Sequence, residues 1–112
     1  LRKQFQKPLI QHGQIQATLA TMWTAYQSSI ALCEKALQIH NSLQKIPPHW
    51  AAGCYLQAAQ AAVQLCEQAI QCHGANGYTP EIKLGQYWQD AKLYTIGGGT
   101  SEIRRSIIAL NL

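Results

Sequence analysis

Charge is scarce in this sequence: only 12% of its 112 residues are Asp, Glu, Lys or Arg, half the typical share of about 25%. That excludes coiled-coil and acidic disordered classes. No apolar run approaches the roughly 20 residues of a spanning helix, so no membrane segment is expected. The four cysteines, Cys33, Cys54, Cys66 and Cys72, form no C-x-x-C pair, and the expectation is reduced thiols buried in a core. Cys72-His73 lacks further ligands at zinc spacing, so no metal site is expected. A P-loop, a dinucleotide fingerprint and a nucleophile elbow are all missing. The opening Leu1-Arg2-Lys3-Gln4 has neither Met nor an apolar signal core. No secretory peptide is expected, and the sequence reads as an interior segment.

What is present is a 47% hydrophobic chain whose polarity comes from fifteen glutamines. Its length suits a single domain, residues 1–112, with room for one core. Net charge is +4, but the basic residues are scattered and no stacking aromatics interleave them. Nucleic acid is therefore not the expected partner, and the phosphates of a small ligand suit a few terminal cations better.

The spacing predicts a long helix from about Gln11 to Gln44, with Ile15, Leu19, Met22, Tyr26, Ile30, Cys33 and Leu37 on one face. Pro47-Pro48 stops it, and Pro48 suits the first turn of a second helix running to about Cys72. That helix carries small residues on two faces, a pattern for a helix packed closely among neighbours. His73-Gly74-Ala75-Asn76-Gly77-Tyr78 reads as a breaker, with both glycines free to take positive φ. A short helix follows from about Ile82 to Tyr94, then a Gly97-Gly98-Gly99 loop. A last helix is capped by Thr100 or Ser101 and striped by Ile103, Ile107 and Leu110. No strand pattern is visible, and the expected class is all-α.

The glycine loop running into Thr100-Ser101-Glu102 is a generic anion site, because a helix N-terminus presents free N–H groups and a positive dipole end. Many helices begin this way only to turn a corner. None of the four histidines pairs with a carboxylate at helical spacing, and no acidic residue stands out as a general acid or base.

Ordered motifs then carry a resemblance. Arg2-Lys3-Gln4-Phe5-Gln6-Lys7-Pro8-Leu9 resembles R-x-x-F-G-K-x-L, and Leu19-Ala20-Thr21-Met22 resembles L-A-x-M. Gln71-Cys72-His73-Gly74-Ala75-Asn76-Gly77-Tyr78 is similar to Q-x-x-G-G-x-G-Y/F. Asp90-Ala91-Lys92-Leu93-Tyr94-Thr95-Ile96 resembles D-A-K-x-x-x-I, and Gly99-Thr100-Ser101-Glu102-Ile103 resembles G-T-S-E-I. Together these resemble the C-terminal helical domain of the acyl-CoA dehydrogenases over nearly the whole chain. The resemblance implies an up-down helical bundle of that type, here without the first bundle helix. It also implies FAD chemistry that forms an α,β-double bond in an acyl-CoA thioester, with electrons passed to an electron-transferring flavoprotein.

Carried over residue by residue, the resemblance makes Arg2 the arginine that meets the FAD pyrophosphate, with Gln4 and His12 at adjacent FAD-contact positions. Gln71, Gly74 and Ala75 match the loop approaching the adenosine half. Thr100 and Glu102 match the cofactor-contacting start of the last helix, and Gly99 a substrate contact. FAD lies at a subunit interface in the family, so a homo- or hetero-oligomer is implied. Bacterial cytoplasm or the mitochondrial matrix is the implied location.

Departures from the pattern matter. Gly98 stands where many members carry the catalytic Glu of Y-E-G-T, and glycine cannot take a proton. Isovaleryl- and long-chain-type members supply that base from a helix before the R-x-x-F segment, upstream of Leu1. Gln6, Gly13, Ala75 and Gln89 replace residues usual in the family. The expectation is the C-terminal part of an acyl-CoA dehydrogenase, inactive by itself. The alternative is a free-standing, non-catalytic helical module that works by association.

Overall fold

Two long antiparallel helices organise the chain in the computed structural model, which describes residues 2–112, with Leu1 outside the described residues. Helix α1 spans Gly13–Leu43 and α2 spans Pro48–His73. A one-turn helix α3 (Ala75–Tyr78), α4 (Leu84–Leu93) and α5 (Ser101–Leu110) complete the order. The class is all-α, as the periodicity predicts.

Local chemistry sets the ends. Gln44 closes α1 in the left-handed region at φ 56. Pro48 occupies the first turn of α2, where a missing N–H leaves nothing unsatisfied. Thr100 caps α5, its Oγ1 accepting from the Ile103 N–H at 3.3 Å. Helix α2 is the centre, packing against α1, α3, α4 and α5, and the Trp88 indole on α4 donates to Glu67 Oε1 on α2 at 3.1 Å.

Small residues make the contact. The buried set is Ser29 and Ala36 on α1, Ala52, Ala59 and Ala61 on α2, Gly77, Ala91 and Ser101. No large side chain is fully buried among the described residues. Short side chains let helix axes approach closely, but they bury little apolar area each. The radius of gyration is 17.2 Å, with extents of 55 × 25 × 21 Å, against about 13 Å for a compact domain of this length. The chain is a slab with large apolar residues left facing outward.

Four expectations change. The face of α1 turned to α2 runs through Met22, Ala25, Ser29, Cys33 and Ala36, while Leu19, Tyr26 and Ile30 point away and Leu37 edges the groove between the two helices. Helical spacing finds both stripes; close packing selects the one with small residues. A hairpin pairs Lys3–Gln4 with Lys7–Pro8, two-residue strands too short to show alternation. The supposed breaker contains α3, and only Gly74 takes positive φ, at 60. Gly77 is needed for space instead, since a Cβ there would stand 2.6 Å from the Ile70 carbonyl oxygen. Among the described residues no helix is long and apolar enough to cross a membrane. The four cysteines are free and half-buried rather than fully buried.

Candidate functional site

The residues singled out by sequence fall into two groups around α2. The first gathers at its C-terminal end. The hairpin turns through Phe5 and Gln6, and the Leu9 N–H closes it on the Arg2 carbonyl at 3.1 Å. This delivers the exposed Arg2 side chain to Gly74, where Nη1 donates to the His73 carbonyl. A Cβ on Gly74 would lie 2.6 Å from Nη1 and 3.2 Å from the guanidinium carbon. Glycine is thus required both by φ and by the guanidinium resting on it.

His12 and Gln4 also meet, the His12 Nε2 standing 3.1 Å from the Gln4 carbonyl oxygen. The Phe5 ring lies edge-on to the His12 ring with centroids 6.4 Å apart. Gln71 accepts the Gly74 N–H through its carbonyl at 3.1 Å. Gln71 and Ala75 are exposed beside them. Arg2, Gly74, Ala75 and Gln71 therefore share one surface. An exposed arginine resting on a glycine is a donor set of the kind that suits a pyrophosphate, so the residues fit the dinucleotide that the motif implies.

The second group lies at the start of α5. Gly98 and Gly99 have φ of 65 and 104, so the loop depends on glycine at both positions. Gly98 carries no base, and a Cβ built there would find only Arg104 Nη2 at 3.7 Å and Tyr55 Oη at 4.0 Å, with no carboxylate in reach. The open anion site expected at this helix start is partly closed from within. The Ser101 N–H donates to the Thr95 carbonyl at 3.0 Å and the Ile103 N–H to Thr100 Oγ1. The Glu102 carboxylate takes its own N–H and the Thr100 hydroxyl, with Arg105 and Lys92 adding smaller pulls, and these hold it below the usual carboxylate range. It faces Arg105 at 3.7 Å and opens on a polar groove of about 520 Å³ shared with Glu67 and Lys92.

Tyr55, beside Gly98, and Gly74 are nineteen positions apart on α2 and its cap, about 28 Å along a helix axis. Gly98 and Gly74 are thus kept far apart, whereas Glu102 reaches the stretch of α2 between Gln60 and Glu67. Sequence reading missed Arg104 and Tyr55: the guanidinium carbon lies 3.3 Å from the Tyr55 ring centroid, and Nη2 donates to the Gly98 carbonyl at 2.9 Å. The doubled Arg104-Arg105 was visible, but nothing in one sequence pairs it with an aromatic forty-nine positions earlier. Among the described residues no cluster of three or more His, Cys, Asp or Glu could hold a metal ion.

Comparison with known proteins follows the same outline. The family model described as "Acyl-CoA dehydrogenase, C-terminal domain" matches residues 1–112. Isovaleryl-CoA dehydrogenase, mitochondrial, of Arabidopsis thaliana is 46% identical over 112 residues, covering 99% of this chain and 27% of that protein. 2-methylacyl-CoA dehydrogenase, mitochondrial, of Solanum tuberosum is 45% identical with the same coverage. The crystal structure of the prolyl acyl carrier protein oxidase AnaB superposes with a TM-score of 0.90 at 29% identity, over 99% of this chain and 30% of that one. The chain thus spans about a quarter of the length of the curated relatives it matches. Matched from end to end by that family model, the chain belongs to the acyl-CoA dehydrogenase family, as its C-terminal domain.

Proposed function

We propose that this chain is the C-terminal part of a flavin-dependent acyl-CoA dehydrogenase, forming an FAD-binding and subunit-interface surface rather than the whole active site. The observation that carries this reading is the Arg2 guanidinium seated on Gly74 with donors still open to solvent. Arg2, Gln71, Gly74 and Ala75, with Gln4 and His12 behind them, would hold the pyrophosphate and adenosine side of the cofactor. Thr100 and Glu102 would meet a cofactor along the groove that Glu102 shares with Gln60, Gln64 and Glu67 of α2.

Bound FAD would supply the hydride acceptor for α,β-dehydrogenation of an acyl-CoA thioester. This chain's own part is to bind and orient. The Gly97–Gly99 loop gives backbone close to the acyl group, with Gly99 in contact, and no side chain at Gly98 takes the α-proton. The base therefore comes from elsewhere in the parent chain, the 112 residues alone are inactive, and electrons leave to an electron-transferring flavoprotein. The mitochondrial relatives favour a matrix location, with bacterial cytoplasm the alternative.

The outward apolar residues, Trp23 at 65% exposure and Leu37 at 57% among them, also suit a non-catalytic module that works by association. Colour separates the two. The parent protein isolated from its own cells should carry about one FAD per chain and bleach on adding a short branched acyl-CoA. Protein isolated colourless, with no gain in absorbance on adding FAD, would favour the module.

A further inference from the structure

We propose that Arg104 is a positioning residue: stacked on Tyr55, it locks the Gly97–Gly99 loop in the one conformation that presents its N–H groups to the acyl thioester. The role of the loop rests on the dehydrogenase reading above; the lock itself rests on geometry. Gly98 and Gly99 are both at positive φ, and two such residues in succession leave a loop with many alternatives. One side-chain bond selects among them, from Arg104 Nη2 to the Gly98 carbonyl at 2.9 Å. Because the peptide unit is planar and trans, turning that carbonyl toward Arg104 turns the Gly99 N–H the opposite way. Neither Gly98, Gly99 nor Thr100 donates its N–H to another backbone carbonyl among the described residues.

The guanidinium is itself fixed from below. Its carbon lies 3.3 Å from the Tyr55 centroid, and Tyr94 meets Tyr55 edge-on with centroids 6.2 Å apart. Arg104 Nε is buried without a partner, a cost that an apolar side chain of similar length on Tyr55 would avoid. Stability alone is a weak reason for arginine here. A planar fork that stacks and still donates at a set angle is a strong one. Lysine offers a point charge without the plane.

The test uses the full-length parent enzyme as five proteins: wild type, Arg104→Met, Tyr55→Phe, Tyr55→Leu and the double variant of Arg104→Met with Tyr55→Leu. Hydrogen exchange is followed in the peptide covering residues 95–101, and acyl-CoA KM, kcat and bound FAD are measured in parallel. Arg104→Met should speed exchange of the loop amides at least tenfold and raise KM at least tenfold, with FAD content unchanged. Tyr55→Phe keeps the ring and should match wild type, while Tyr55→Leu should move both readouts in the same direction as Arg104→Met. Adding Tyr55→Leu to Arg104→Met should change little further, because the two act through one stack. Loop exchange at the wild-type rate in Arg104→Met overturns the lock. Faster exchange with unaltered KM overturns its link to the acyl group. A wild-type enzyme that neither binds FAD nor turns over acyl-CoA overturns the dehydrogenase reading, and the exchange measurement still decides the lock.

Discussion

The Arg2 guanidinium occupies the space that a side chain on Gly74 would fill, with Nη1 2.6 Å from the position of the missing Cβ. A hairpin at one end of the chain and a helix cap seventy-two positions later are thereby fitted to each other. Gly74→Ala should displace Arg2 and also meet the backbone at φ 60, ψ −142, a region that essentially only glycine adopts and where a Cβ costs about 1–3 kcal/mol. In the parent enzyme, FAD affinity should fall at least tenfold. Arg2→Ala should weaken it similarly, and the double variant should lose little more than either alone. Flavin absorbance after exhaustive dialysis reads all three; undiminished retention in Arg2→Ala would remove Arg2 from the cofactor site.

The hairpin that delivers Arg2 turns through Phe5 at φ 49 and Gln6 at φ 63, where tight two-residue turns prefer Asn-Gly or Asp-Gly. Relieving the left-handed strain at Gln6 with glycine gains about 1–2 kcal/mol, less roughly 0.5–1 kcal/mol of added chain entropy. Gln6→Gly should therefore steady the hairpin by about 0.75 kcal/mol, the middle of a range of roughly 0–1.5 kcal/mol. The Leu9 amide, bonded to the Arg2 carbonyl, reports this directly. Its hydrogen exchange should slow about two- to fivefold if local opening governs it.

How much of this is readable from sequence depends on the range of the signal. Pro48 at the start of α2 and Thr100 capping α5 are local chemistry, and both are visible in a few residues. The central place of α2 follows from alanines on two faces. The face of α1 that meets it does not follow, since Leu19 and Tyr26 satisfy helical spacing as well as Met22 and Ala25 do. Only the close packing against small residues of the partner helix, Cys54 and Ala58 beside Cys33 and Ala36, decides. Gly74 and Gly77 look alike in sequence, yet one serves backbone conformation under Arg2 and the other clears space against Ile70. The motif resemblance singles out Arg2, Gly74 and Thr100 as candidates and is silent on Arg104 and Tyr55, whose relation exists only through the tertiary fold.

Cys54 offers a pH-dependent check on the packing of α1 against α2. Its thiol donates to the Leu32 carbonyl at 3.6 Å and shares an apolar groove with Cys33, Leu37 and Ile46. Burial first, then the neighbouring Cys33, pushes Cys54 from the ordinary 9.0 up to about 11. That change leaves about a hundredfold less thiolate at pH 8, and the thiolate is the reactive form. Iodoacetamide should label Cys54 in the folded protein about a hundredfold more slowly than in the urea-unfolded chain. The same shift fixes a sign for stability. The unfolded chain loses the proton first as pH rises, so this contribution is complete below pH 9 and disappears between 9 and about 11. The thermal midpoint of wild type relative to Cys54→Ala should therefore decline across that interval. A difference that stays flat from pH 8 to 11 would mean that Cys54 is as solvated in the folded chain as in the unfolded one.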